Sequence, residues 1–141
     1  THEKLSKKYK KNVPLLLKIS PDIIQEDLNN ICNSIKHYGI DGVIATNTTT
    51  DKSILKNKKL LSYSGGVSGR PLLTKSNKII ELLKKLVGSN VAIIGCGGVS
   101  SKEAALNKIA LGSDLIQLYT GLVYSGTSLI QEITGLNNKS I

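Results

Sequence analysis

Short apolar runs alternate along the chain with segments whose apolar residues recur at helical spacing. The first run, Val13 to Lys18, stops at Ser20-Pro21-Asp22. Ile23, Ile24, Leu28, Ile31, Ile35 and Tyr38 then keep a helical period up to Gly39. Asp22 followed by Gln25 fits a capping box, Glu26 and Asp27 suit the positive start of that helix, and His37 suits its last turn. A second run, Gly42 to Thr46, leads into Asn47-Thr48-Thr49-Thr50, and a polar excursion follows as far as Gly65-Gly66-Val67-Ser68-Gly69-Arg70-Pro71. Helical spacing returns with Ile79, Ile80, Leu83 and Leu86 and ends at Gly88. The third run, Val91 to Ile94, is closed by Gly95-Cys96-Gly97-Gly98. Ser100 and Glu103 then predict a capped helix carrying Ala104, Ala105, Ile109 and Leu111. A fourth run, Leu115 to Tyr119, meets Thr120-Gly121, and a last helix is expected over 128–133.

These are four strand-helix units with continuous rather than alternating apolar strands. Strands of that kind are buried on both faces, which predicts a parallel sheet with helices outside it. The glycine-rich and polar signals all fall just after strand ends, the edge that holds the site in parallel α/β folds. An open doubly wound sheet and a (β/α)8 barrel both fit this pattern. A full barrel takes about 250 residues, so the four units in 141 residues read as half a TIM barrel, which implies that the chain is incomplete. Residues 13–141 are assigned to that half-barrel and residues 1–12 to a basic, solvated arm.

Charge first raises and then lowers the prospect of a nucleic-acid partner. The formal charge is +9, but Lys4, Lys7, Lys8, Lys10 and Lys11 crowd the first dozen residues, opposed there only by Glu3. The other lysines are spread along helical faces, Arg70 is the only arginine, and there is no Phe or Trp. Arginine forks and stacked aromatics carry most base and phosphate readout, so no nucleic-acid partner is expected. The composition, 40% hydrophobic and 21% charged, is that of one globular domain, with no apolar run long enough for a membrane span. Two cysteines are too few to staple a secreted scaffold and point to a reducing compartment.

The strongest local signal is Ile94-Gly95-Cys96-Gly97-Gly98-Val99-Ser100-Ser101. Glycines let the backbone approach a ligand, and amides at a helix start bind anions. With Tyr119-Thr120-Gly121 after the next strand, the loop matches the phosphate grip after the last two barrel strands. On this reading a side chain at position 98 would intrude on the phosphate. The pattern is not a dinucleotide fingerprint, because Gly-x-Gly-x-x-Gly with a following acid is missing. Lys18, at the end of the first run, either faces the ligand or snorkels to solvent. Asn47, Thr48 and Thr49 either meet a ligand or form an ordinary turn. His2 and His37 lack the spacing for a metal, so no metal is expected. Cys96 has no neighbouring histidine and reads as a buried thiol, and Cys32 reads as core.

VPLLLKISPD (13–22), GIDGVIATNTTT (39–50), GGVSGRPL (65–72), IIGCGGVSS (93–101) and LIQLYTG (115–121), in this order, resemble the second half of bacterial class 2, quinone-dependent dihydroorotate dehydrogenases. The resemblance runs from about Val13 to Ile133. It implies a (β/α)8 barrel with FMN at the carboxyl face and oxidation of dihydroorotate to orotate in pyrimidine (UMP) biosynthesis. Lys18 is then expected near flavin N1 and O2, Thr46 beside the flavin, and Gly69, Gly98, Tyr119 and Thr120 on the FMN ribityl-phosphate. Asn47 and Thr48 are expected on the substrate. The base of this class is a serine on a preceding loop that no segment here matches, so no catalytic base is assigned in this chain. The quinone would be reached through an amino-terminal region, with peripheral contact on the cytoplasmic side of the inner membrane. The rival readings are a dihydrouridine synthase, another FMN barrel oxidoreductase, and a non-catalytic half-barrel that binds phosphate.

Overall fold

A computed structural model describes residues 2–135. The polar end of the assigned half-barrel, 136–141, and Thr1 of the arm lie outside the described residues. In chain order the elements are α1 (His2–Tyr9), β1 (Leu16–Ile19), α2 (Gln25–Tyr38), β2 (Gly42–Ala45), α3 (Leu73–Val87), β3 (Ala92–Cys96), α4 (Lys102–Ala110), β4 (Leu115–Gln117), α5 (Thr120–Ser125) and α6 (Ser128–Thr134). The strands form one parallel sheet in the order β1-β2-β3-β4, as the continuous apolar runs predict. The polar excursion between β2 and α3 is folded into short 3-10 turns, two of them started by Asp51 and Asn57 side chains.

The core lies between the sheet and α2 and α3. Ile19, Val43, Ala45 and Ile93 of the strands meet Leu28, Cys32 and Ile35 of α2 and Ile79, Ile80, Leu83 and Val87 of α3. By the period of two in a strand, Lys18, Ile44, Ile94 and Cys96 share the opposite face. α2 ends where the sequence predicts, with Gly39 in the left-handed conformation (φ 64°) returning its N–H to Ile35 O.

Three expectations need correction, and the arm has local structure of its own. β1 is not buried on both faces: Leu16 and Leu17 are about two-fifths exposed (43% and 39%) because β1 is an edge strand here, and β4, at the other edge, is equally open. The basic arm is helical over residues 2–9. Glu3 in its first turn and Lys7 and Lys8 in its last match the helix dipole, yet it buries nothing. Asp22 does not cap α2; Ile24 occupies that position without a side-chain bond, because Asp22 is held elsewhere. α4 is capped by Ser101, whose hydroxyl accepts from Ala104 N, and not by Ser100, which accepts from Arg70 Nε at 3.0 Å. Among the described residues no helix is long and apolar enough to cross a membrane.

Candidate functional site

Parallel strands end at one edge, so the residues after β1, β2, β3 and β4 are brought together there. A cleft opens at this edge, and Lys18, Thr46, Asn47, Thr48, Gly69, Gly98, Tyr119 and Thr120 all line it. No carboxylate lines it, and Lys18 is its one charged side chain among the described residues. That donor set suits an anionic or electron-rich ligand.

Each wall has a visible cause. Thr46 N–H donates to Cys96 O (2.8 Å) and Asn47 N–H to Ile19 O (2.8 Å), so the chain beyond β2 stays tied to both neighbouring strands. Thr46 is buried, its hydroxyl on Asn47 O (2.9 Å), and the Ala45–Thr46 peptide is cis. Thr49 and Val67 exchange two backbone bonds (3.2 and 2.7 Å), which lays the Ser68-Gly69 turn beside the Asn47-Thr48 segment. Thr120 Oγ1 then donates to Ser68 Oγ at 2.9 Å and joins that turn to the β4 end. Beyond β3, the Gly98 and Val99 amides donate to no acceptor among the described residues and so are available to a ligand.

The reason for glycine at 98 differs from the sequence expectation. A Cβ there would lie 2.5 Å from Leu73 Cβ and 2.6 Å from Leu73 N, and φ is +79°. The glycine lets the loop close onto the start of α3; the space it protects is on the helix side, not in the cleft.

The sequence reading missed a charged hub beneath the Asn47-Thr48 segment. The Asp22 carboxylate accepts from Thr49 Oγ1, from Thr50 N (2.7 Å) and Oγ1 (2.9 Å), and pairs with Lys75 Nζ at 2.6 Å. Lys75 also reaches Asp51 at 3.1 Å. Burial by itself would raise the Asp22 pKa, but Lys75, Thr49 and Thr50 outweigh it and hold the carboxyl well below the usual range. The legible signal was position: Asp22 and Thr49-Thr50 each follow the end of one of two adjacent parallel strands. Because the Asp22 pKa is depressed, its stabilisation is complete above the unfolded carboxylate pKa and is lost as pH falls below it. Asp22→Asn is therefore expected to destabilise the chain by about 1–2 kcal/mol at pH 7, the pair being a quarter exposed. The gap to wild type in urea denaturation should narrow progressively below pH 4; a constant gap would remove the hub's charge from the account.

A second surprise is Lys108, one of the lysines spread along helical faces, which is fully buried under β3. Its Nζ donates to Ser76 Oγ (2.5 Å) and Asn77 Oδ1 (2.7 Å). It takes the core side of α4 with Ala104 and Ala105, while Ile109, expected there, is exposed. Cys96 and Cys32 are buried thiols, as read, and burial pushes the Cys32 pKa up.

The family model described as dihydroorotate dehydrogenase matches residues 1–139. The chain is 47% identical over 131 residues to the dihydroorotate dehydrogenase (quinone) of Aliivibrio salmonicida, covering 93% of this chain and 39% of that protein. It is also 47% identical over 135 residues to the protein of the same name from Legionella pneumophila (strain Corby), covering 95% and 40%. A ligand-free DHODH crystal structure from Eimeria tenella superposes with a TM-score of 0.84 at 31% identity, over 89% of this chain and 34% of that one. The chain thus spans about two-fifths of the length of its curated relatives. It belongs to the dihydroorotate dehydrogenase family, and its four-stranded parallel sheet is part of a TIM barrel.

Proposed function

We propose, with that membership as premise, that the chain is the FMN- and substrate-holding portion of a quinone-dependent dihydroorotate dehydrogenase of pyrimidine biosynthesis. Residues 13 onward are the carboxyl-terminal half of its barrel. The observation that carries this reading is the convergence of Lys18, Thr46, Asn47, Thr48, Gly69, Gly98, Tyr119 and Thr120 on one cleft free of carboxylates.

The residues present suit FMN. Free backbone amides at Gly98 and Val99 match a phosphate, and an ammonium at the β1 end matches a ring that gains negative charge. FMN bound there would supply a two-electron acceptor for the oxidation of dihydroorotate and a donor to a quinone. Gly69, Gly98, Tyr119 and Thr120 would hold its ribityl-phosphate, Thr46 would contact the flavin, and Lys18 would stabilise the negative charge of the reduced form. Asn47 and Thr48 orient dihydroorotate with uncharged donors and acceptors, on a segment kept rigid by the Asp22 hub. The proton abstracted from the substrate goes to a base that this chain does not supply. The quinone is met at the cytoplasmic side of the inner membrane, through a region with no counterpart in these residues.

The test is a chimera in which this chain replaces the matching two-fifths of the Aliivibrio salmonicida relative. It should purify with FMN and reduce quinone on dihydroorotate, whereas the 141-residue chain alone shows no turnover. Lys18→Ala in the chimera should lose one charge-assisted hydrogen bond, slowing flavin reduction about tenfold to a hundredfold. A folded chimera without FMN would overturn the cofactor assignment, and one that holds FMN with Lys18→Ala unchanged would overturn the lysine's role. A folded chimera that binds phosphate but never turns over would favour the non-catalytic half-barrel.

A further inference from the structure

Lys108 is an ammonium buried without a carboxylate among the described residues, directly behind the loop that presents free amides to the cleft. An ammonium has three donors and no acceptor, and a serine hydroxyl has a single proton. Lys108 Nζ occupies a lone pair of Ser76 Oγ at 2.5 Å, so the Ser76 proton must point elsewhere. Its acceptors are Gly97 O at 3.0 Å and Leu73 O at 3.1 Å. In a trans peptide the C=O and the following N–H point in opposite directions. Drawing Gly97 C=O toward Ser76 therefore turns the Gly98 N–H away from α3, toward the cleft that both glycines line.

We propose that Lys108 is a positioning residue: through Ser76 it fixes the Gly97–Gly98 peptide so that the Gly98 amide is aimed, and polarised, toward a phosphate in the cleft. The inference rests on the phosphate reading of that cleft. Hydrogen bonds in series strengthen one another in a low-dielectric interior, so a full charge at the far end enhances the donor at the near end. Burial lowers the Lys108 pKa to about 8, outweighing an upward pull from Cys96. The neutral amine has a lone pair and can accept the Ser76 proton, which withdraws it from Gly97 O. The relay is therefore sensed by pH. The amine bonds Ser76 and Asn77 of α3, Cys96 of β3 is near enough to act on its charge, and the side chain's Cδ lies against Gly95 of β3; Cys96 is the one titratable group among them.

The experiment is a carbon-detected NMR titration of the isotope-labelled chimera described above, following the cross peak that joins the Gly97 carbonyl to the Gly98 nitrogen. In wild type this peak should shift upfield in carbon with the same midpoint as the Lys108 Cε signal. In Lys108→Met the shift should vanish, whereas a shift driven by Cys96 would persist. In Ser76→Ala Lys108 should still titrate while the peak stays still. A peak that is stationary in wild type, or that still follows Lys108 in Ser76→Ala, overturns the relay. Inorganic phosphate and FMN, added separately at pH 7, should move the same peak, and phosphate should bind Lys108→Met about two- to tenfold more weakly, the worth of one hydrogen bond. If the peak follows Lys108 yet neither phosphate nor FMN moves it, the phosphate reading of the cleft falls and the peptide linkage stands.

Discussion

Gly98→Ala is expected to destabilise the chain by about 2–5 kcal/mol, combining left-handed backbone strain with overpacking. Both contributions act at the same atom. φ is +79°, where a Cβ crowds its own carbonyl, and that Cβ would lie 2.6 Å from the Leu73 nitrogen, a main-chain atom at the start of α3 that no rotamer change can move. Gly39 provides the control: its φ is +64° but nothing lies within 4 Å of a Cβ there, so Gly39→Ala should carry only the strain, about 1–2 kcal/mol. Urea denaturation of the two variants beside wild type makes the comparison. Equal midpoints would mean that α3 gives way to the new methyl. The result also bears on how flavin loss is interpreted: a Gly98 variant without FMN reports a displaced α3 as readily as a blocked phosphate, so Lys18→Ala and Thr120→Ala are the cleaner probes of the cleft.

The parts of this molecule that were legible share one property, namely that local sequence determines them. Continuous apolar runs and the glycines that stop each helix mark the strand-helix units, and parallel pairing then carries the residues after every strand to one edge. That is why Lys18, Asn47, Gly98 and Thr120, dispersed over a hundred residues, end in one cleft. What was not legible depends on partners distant in sequence. Asp22 has the spacing of a cap, and only the proximity of Thr49, Thr50 and Lys75 diverts it. Ser100 likewise has the spacing of a cap but is claimed by Arg70, and Ser101 takes the role. Lys108 was hidden by its residue type: a lysine on an amphipathic helix reads as solvated, although its position four residues after Ala104 already placed it on the core side. β1 and β4 are exposed because these four strands are part of a barrel, and the strands that flank them in a closed barrel lie outside the two-fifths of its relatives' length that this chain spans.

The buried lysine has a thermodynamic signature that is separate from any ligand. Lys108 falls from its ordinary 10.5 to about 8 in the folded chain because burial disfavours the charged form. Below pH 8 both folded and unfolded chains hold the proton, and the folded state carries the whole desolvation penalty. Between pH 8 and 10.5 the folded chain releases the proton while the unfolded chain keeps it. The unfolded state then binds more protons, and stability rises with pH. Above 10.5 both are neutral and the penalty is gone. At 1.36 kcal/mol per pH unit the displacement amounts to about 3 kcal/mol. Lys108→Met removes the titrating group and keeps an unbranched side chain of similar length on Gly95. Unfolding free energies of wild type minus Lys108→Met, measured by urea at intervals from pH 7 to 10.5, should climb by about 3 kcal/mol. The subtraction cancels the surface lysines, which titrate alike in both proteins. A difference flat across that range would mean that Lys108 keeps an ordinary pKa, its hydrogen bonds to Ser76 and Asn77 compensating fully for the loss of water.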